Sequence, residues 1–461
     1  MGRPKLVSTA AWSGLLVLMV ACAALLISGA AASGVADSSG IGIAVGPETT
    51  VVSGLVGSDK ASDKASFMQF PFAESFPSAS GGRAPRVVLV SFSEHFDSRH
   101  YAERLRTKRS VDGGRTFTTL ATGVPISSMT QLEDRSLVAV NFRTDTLSAP
   151  TAAVPATGTT PASSGGGAMA FQTTFWRSQD YGVTWVEQHG TISAHDAYDA
   201  VYFHRGIVAG RDGSLLATTH GYLHGEHRYR SMLARSTDRG ATWRIVSTIA
   251  STPAGWRIEG RSEPTMARAA NGDLVVVMRQ SAPVNPKVCN GSRQGAALVI
   301  SRSSDDGASW TPSRPLVGAG LDAYNVSSAD PQLTRMPQGQ LILSYGRPGN
   351  KILVSADGNG TSWSNLTLTR AGISSGYTSI VPLTATTALQ IGDDGSNWCF
   401  PAATGFHKVG IWAKTIELRI SDIKWMNLHN HYLSGSPNVR TNVTDPPTAA
   451  FGPAAAVRRS S

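Results

Sequence analysis

The chain has 461 residues, of which 41% are hydrophobic and 16% charged; this is enough to build a sizeable core and excludes a disordered or fibrous composition. The formal net charge is +9 with no long lysine or arginine run and no nucleic-acid module, so nucleic acid is not expected as a partner, and the diffuse positive balance favours anions, acidic sugars among them. Gly (47) and Pro (24) are abundant, as many short strands joined by turns require.

Residues 1–33 read as a secretory signal peptide or signal anchor. Arg3 and Lys5 precede an uncharged core from Gly14 to Ile27, and Gly29 to Ala32 offers small residues for cleavage. The span Val7 to Ala32 is long enough to cross a bilayer, so membrane anchoring is the alternative to cleavage. On either reading the remainder is expected to be secreted or lumenal. Cys289 and Cys399 form an even pair there, open to one disulfide, and Asn290, Asn325, Asn359, Asn365 and Asn442 head glycosylation sequons.

Residues 34–66, rich in Gly, Ser, Ala and Val, read as a linker, and 67–433 as the folded domain. Residues 147–168 (LSAPTAAVPATGTTPASSGGGA) have nothing to bury and read as a disordered insertion; 434–461 reads as a disordered tail. Five apolar runs are expected to be strands buried on both faces and innermost in their sheets: Val87 to Phe92, Ser214 to His220, Asp273 to Arg279, Gln340 to Gly346 and Thr387 to Ile391. The alternating segment Ile411 to Trp425 is expected to be the last strand, closing a ring.

One pattern, Ser-x-Asp-x-Gly-x-Thr-Trp, recurs five times. The copies are SVDGGRTF from Ser110, SQDYGVTW from Ser178, STDRGATW from Ser236, SSDDGASW from Ser303 and, one residue longer, SADGNGTSW from Ser355. Each has hairpin-turn chemistry: Asp accepts from backbone N–H groups, Gly takes a positive φ, and the aromatic residue anchors the turn. The copies start roughly 50–70 residues apart, room for one four-stranded sheet each, and such repetition signals a β-propeller.

The pattern is the Asp-box, and the chain resembles the sialidase (neuraminidase) superfamily over roughly Phe67 to Trp425. The resemblance implies an all-β fold, a six-bladed β-propeller with Asp-box turns, and a retaining exo-glycosidase acting on terminal sialic acid or a related acidic sugar of a glycan. A different glycan hydrolase or lyase, or a non-catalytic glycan-binding propeller, remains the alternative, because the boxes are turn scaffolding and function resides in the site. The resemblance makes Tyr377, in Ser375-Gly-Tyr-Thr-Ser, the nucleophile and Glu263, in Arg261-Ser-Glu-Pro-Thr, the base that activates it. Arg279 and Arg347 match carboxylate-binding arginines, a role suited to the planar guanidinium. The general acid falls near Asp97, with Glu94 and His95 as rivals. Gln69, in Met68-Gln-Phe-Pro-Phe72, stands where the family carries the first arginine of a triad, a departure that puts sialic acid itself in question. The segment Thr219 to His227 holds His220, His224 and Glu226 and reads as a substrate-contact loop in preference to a metal site; no metal or cofactor is expected.

Overall fold

The computed structural model describes residues 40–53, 68–80, 85–94, 105–147, 169–253, 259–280, 297–317, 329–346, 349–372, 374–394 and 410–420. The described residues are all-β, without a helix. The first compact unit, ending at Arg419, contains nearly all of them. The apolar N-terminal segment, most of the expected insertion, the expected tail, Cys289 and Cys399, and Asn290, Asn325 and Asn442 lie outside the described residues.

The strands fall into antiparallel meanders in chain order. The first strand, β1 (Ile41–Val52), is followed by β2 (Gln69–Phe76), β3 (Val87–Ser93), β4 (Leu105–Ser110) and β5 (Thr118–Thr119). Next come β6 (Ser128–Gln131), β7 (Leu137–Thr146), β8 (Met169–Ser178) and β9 (Val186–Ala194), then β10 (Tyr198–Ala209), β11 (Leu215–Leu223), β12 (Arg230–Ser236) and β13 (Thr242–Ala250). These are followed by β14 (Arg261–Arg268), β15 (Leu274–Gln280), β16 (Val299–Ser303) and β17 (Arg314–Pro315), and by β18 (Ala329–Arg335), β19 (Leu341–Gly346), β20 (Asn350–Ser355) and β21 (Ser364–Arg370). The chain order ends with β22 (Thr378–Pro382), β23 (Thr387–Asp393) and β24 (Ile411–Ile420). Strands β2–β5, β14–β17 and β18–β21 each form a four-stranded sheet. Two further meanders, β6–β9 and β10–β13, merge into one eight-stranded sheet through a parallel β9–β13 pairing and a single β7–β10 pair, Arg143 with Tyr202. The first strands touch one another in the closed order β2, β6, β10, β14, β18, β22 and back to β2.

Three expectations are corrected. The five apolar runs are β3, β11, β15, β19 and β23, the second strands of their meanders; the strands that meet one another are the first ones. Residues 41–52, read as linker, are a strand, and β24 is not the closing edge: β1 pairs outside it in the order β1-β24-β23-β22. Gly42 and Gly46 hid this strand. They break the apolar alternation, yet they let the backbones lie close, since a Cβ on Gly46 would stand 3.3 Å from the Thr415 carbonyl.

All five boxes turn the chain from the third to the fourth strand of a meander. In the fourth box Ser303 Oγ donates to Asp305 (2.7 Å) and accepts from Gly307 N (2.7 Å), while Asp305 accepts from Ser309 N (2.9 Å) and Ser309 Oγ. Hydrogen bonds from Ser309 lead the interactions that hold the Asp305 carboxyl down at about 2. Gly307 has φ +89, and a Cβ there would stand 2.1 Å from Leu233 Cδ2 of the preceding meander, which favours glycine.

The boxes are also tied to one another. The arginine preceding each of the first four serines donates to the carbonyl of the residue just before the box glycine of the next meander. Arg109 reaches Tyr181 O (3.0 Å), Arg177 reaches Arg239 O (2.6 Å), Arg235 reaches Asp306 O (3.3 Å) and Arg302 reaches Asn359 O. The fifth box is preceded by Val354, and no box follows it.

Candidate active site

Four first strands carry a bulge at corresponding places, each with a non-glycine residue in the left-handed region: Phe70 (φ 59), Arg205 (φ 34), Glu263 (φ 48) and Asp330 (φ 41). Such a conformation costs about 1–3 kcal/mol and re-aims the side chain, which marks these positions as functional candidates.

Glu263 is the hub. Its Oε1 accepts from Tyr377 Oη (2.7 Å) and Arg279 Nη1 (2.8 Å), and its Oε2 from the Asp330 backbone N–H (2.7 Å). The β14–β15 register pairs Ser262 with Arg279, which places the guanidinium beside the bulged Glu263. Burial would push the Glu263 carboxyl up, but Arg279, His204 and the Tyr377 and Asp330 hydrogen bonds outweigh it and hold the group down at about 2. Burial likewise pulls Arg279 down, and Glu263 more than reverses this and raises it. Glu263 is therefore an anion at any working pH.

Tyr377 enters just before β22 on a pinned segment. Ser375 N and Oγ both donate to Asp393, which is fully buried at the end of β23 and also accepts from Phe70 N (3.0 Å). The Tyr377 ring packs edge-on against Phe70 at 4.7 Å.

Below the hub lies a second buried pair. Arg205 clamps Asp330 through Nε and Nη2, both at 2.6 Å, and also donates to Gln332 and to Ser379 Oγ (3.1 Å); the Phe72 ring stacks on it at 4.7 Å. Burial pushes the Asp330 carboxyl up to about 7 against the pull of Arg205.

A cavity of about 290 Å³ opens over the hub. Glu263, Arg279 and Tyr377 line it together with Ser262, Glu259, Phe70, Phe72, Phe142, His204, His220 and Tyr229. The His220 ring lies 5.3–5.9 Å from those of Phe142, Tyr202, His204 and Tyr229, and its Nδ1 is buried without a partner. Burial pulls both imidazoles down to about 3, so they are neutral at ordinary pH.

The structure thus brings together Tyr377, Glu263, Arg279 and His220. Gln69 is buried on β2 and does not line the cavity; its neighbour Phe70 does. Glu226 is engaged by Arg230 at 3.1 Å, away from the lining, and His224 pairs with Asp199 at 2.7 Å. Asp97, His95 and Arg347 lie outside the described residues, and the rival acid Glu94 is ion-paired to Arg106 at 2.9 Å. Sequence reasoning missed Glu259, His204, Arg205 and Asp330. The recurrence of a residue followed by Pro in the first strands, in Phe70-Pro71, Glu263-Pro264 and Asp330-Pro331, was a signal that could have found the bulges.

A family model described as "BNR repeat-like domain" matches residues 159–391. No curated protein matches the chain. Among solved structures, a protein of unknown function from Dyadobacter fermentans aligns at 17% identity and TM-score 0.51, over 81% of this chain and 99% of its own. A Penicillium chrysogenum alpha-L-arabinanase complexed with arabinobiose aligns at 14% identity and TM-score 0.53 over 80% and 98%. The alpha-L-arabinofuranosidase Arb93A of Fusarium graminearum aligns at 13% and 0.53 over 80% and 97%. These likenesses establish the fold, and the Asp-box resemblance read from the sequence is borne out by the family match.

Proposed function

We propose, from the premise that this chain belongs to the BNR repeat-like domain family, that it is a retaining exo-glycosidase on a six-bladed β-propeller, removing a terminal acidic sugar of the sialic acid kind from a glycan. The closed ring of six first strands supports the blade count. The observation that carries the chemistry is the 2.7 Å hydrogen bond from Tyr377 Oη to Glu263 Oε1 within the cavity.

A phenol has an ordinary pKa of ~10 and attacks poorly unless a neighbouring base takes its proton as the new bond forms. Glu263 is such a base, held anionic and oriented by Arg279 and the Asp330 N–H. Tyrosine in place of the usual carboxylate nucleophile suits a substrate with a carboxylate at its anomeric centre, which would repel an anion. Arg279, the cation among the described lining residues, is the group to receive that carboxylate. The apolar N-terminal segment and the sequons at Asn359 and Asn365 support a secreted or lumenal location for the reaction.

A second reading is a neutral sugar. It is favoured by Gln69, buried where the family's first arginine stands, and by Glu259, a carboxylate on the cavity wall. The neighbours named for arabinose chemistry make an arabinofuranoside the natural comparison. Methylumbelliferyl α-sialoside and methylumbelliferyl α-L-arabinofuranoside separate the readings. The expected result is release from the sialoside by the wild type, with Tyr377→Phe reducing kcat by about 100-fold or more at an unchanged thermal midpoint. Release from the arabinofuranoside alone selects the neutral sugar, and no release from either between about pH 4 and 8 sinks the glycosidase reading.

A further inference from the structure

We propose that Glu259 is the acid/base catalyst of this site, protonating the leaving oxygen and then activating water; the role rests on the glycosidase reading above. A retaining double displacement needs a second proton-handling group beside the nucleophile, free to change its protonation between the two steps. Among the described residues, most carboxylates around the hub are spent. Glu263 is committed to Tyr377 and Arg279, Asp330 is fully buried and clamped by Arg205, and Glu94 is tied to Arg106. The imidazoles of His204 and His220 stay neutral and bring no acidic proton.

Glu259 differs on each count. It lines the same cavity as Tyr377 and Glu263, its side chain is 40% exposed, and its ion pair among the described residues is a loose 3.7 Å contact with Arg279 Nη2. The other arm of that guanidinium holds Glu263 at 2.8 Å, so one rigid fork sets the two carboxylates on either side of itself. The backbone at Glu259 is held in place. Its carbonyl accepts from Tyr229 N (2.8 Å), Arg261 N donates to Tyr229 O (2.9 Å), and Gly260 between them lies so close to Tyr229 that a Cβ would stand 2.3 Å from that carbonyl oxygen. A partly exposed carboxylate on a fixed backbone, lining the cavity and with no close hydrogen bond to its side chain among the described residues, meets the requirement.

The steps balance as follows. Tyr377 Oη bonds to the anomeric carbon and its proton passes to Glu263 Oε1. The glycosidic bond breaks, and the leaving oxygen takes the proton of Glu259. Water then attacks the anomeric carbon and gives a proton to Glu259, while the departing Tyr377 oxygen recovers its own from Glu263. Hydrolysis is complete with both carboxyl groups restored.

The test uses the full-length chain with Glu259→Ala and Glu259→Gln, each compared on the methylumbelliferyl glycoside, whose leaving group needs little protonation, and on a substrate with a sugar leaving group. The latter is sialyllactose, or arabinobiose if the arabinofuranoside proves to be the substrate. The expected result is a loss of about 100-fold or more in kcat/KM on the sugar leaving group, a loss under about 10-fold on the aryl one, and rescue of Glu259→Ala by sodium azide with formation of the glycosyl azide. Equal losses on both substrates, absence of azide rescue, or an unaffected Glu259→Ala beside a leaving-group-dependent Asp97→Asn would each overturn the assignment. An inactive wild type, or a fully active Tyr377→Phe, would remove the glycosidase reading itself, and with it this inference.

Discussion

Arg205 and Asp330 determine how the Glu263 carboxylate is held, although neither lines the cavity. Asp330 presents its backbone N–H to Glu263 Oε2 because its own side chain is clamped by Arg205 on the facing strand. The pair joins β10 to β18, and through Ser379 to β22, so it fixes three strands around the hub. Removing one member of such a buried pair strands the other charge and costs about 3–5 kcal/mol, whereas neutralising both costs far less. Arg205→Met should therefore lower unfolding free energy in urea by that amount, and Arg205→Met with Asp330→Asn should recover most of it. The single variant has a further signature. Without Arg205 the burial effect on Asp330 loses its main opposition, leaving Arg279, so its folded pKa rises further. A raised carboxyl favours the fold at low pH and loses that contribution as pH rises, so the Arg205→Met deficit should be smaller at about pH 5 than at about pH 8. A deficit independent of pH would contradict this account. Glu263, Arg279 and Tyr377 were legible because local motifs carry them. Arg205 was not, because it becomes meaningful only through a partner 125 residues away, and Asp330 was marked locally only by its place before Pro331.

The meander is the unit that the sequence announces most clearly, since an Asp-box closes its hydrogen bonds within eight or nine residues and needs no tertiary context. What the boxes could not reveal was which strand faces the site. The runs chosen as innermost were the second strands, whose unbroken apolar composition follows from being covered on both faces. The first strands look worse as strands, interrupted by Pro71, Pro264 and Pro331 and by the polar residues they carry inward. The arginine chain is a contact between elements that becomes visible once boxes are placed side by side. Each link joins a charged donor on a third strand to a carbonyl of the next turn, worth about 1–2 kcal/mol. Arg302→Lys should lose most of that, because a single ammonium cannot reproduce the length and planarity of the guanidinium fork. Val354, at the one box without a successor, is fully buried, so an arginine there would bury an unpaired charge and extend no link. Thermal unfolding of Arg302→Lys checks the link, and an unchanged midpoint would refute it.

Across the whole ring, closure rests on the pairing of the N-terminal strand with the C-terminal ones. Glu48 on β1 accepts from Arg370 at 3.0 Å and lies 3.5 Å from Lys414, an edge contact that a composition-based linker reading could not foresee. The buried ionisable groups also give the folded molecule a characteristic response to acid. His204 and His220 titrate at about 3 in the fold against an ordinary 6.5, and Glu263 at about 2 against 4.5, so all three favour unfolding as pH falls. Asp330 and Glu74 act in the opposite sense: burial raises both to about 7, and their contribution to the fold grows as pH falls from there towards the ordinary carboxylate range. Between about pH 6.5 and 4.5 the two sets oppose each other and stability should change little. Below about pH 4 the raised carboxyls are protonated in both states and contribute no further change, while the unfolded chain holds protons that the fold refuses at His204, His220, Glu263 and the lowered aspartates, Asp112, Asp134 and Asp305 among them. Each proton refused is worth about 1.4 kcal/mol per pH unit, so the thermal midpoint should fall steeply there. His220→Phe removes one of these protons and should make the acid limb shallower by one proton's slope. Calorimetric scans of both proteins from about pH 7.5 to 3.5 decide the matter. A decline that begins at about pH 6.5 and runs on without a plateau would show that Asp330 and Glu74 do not take up protons in the fold.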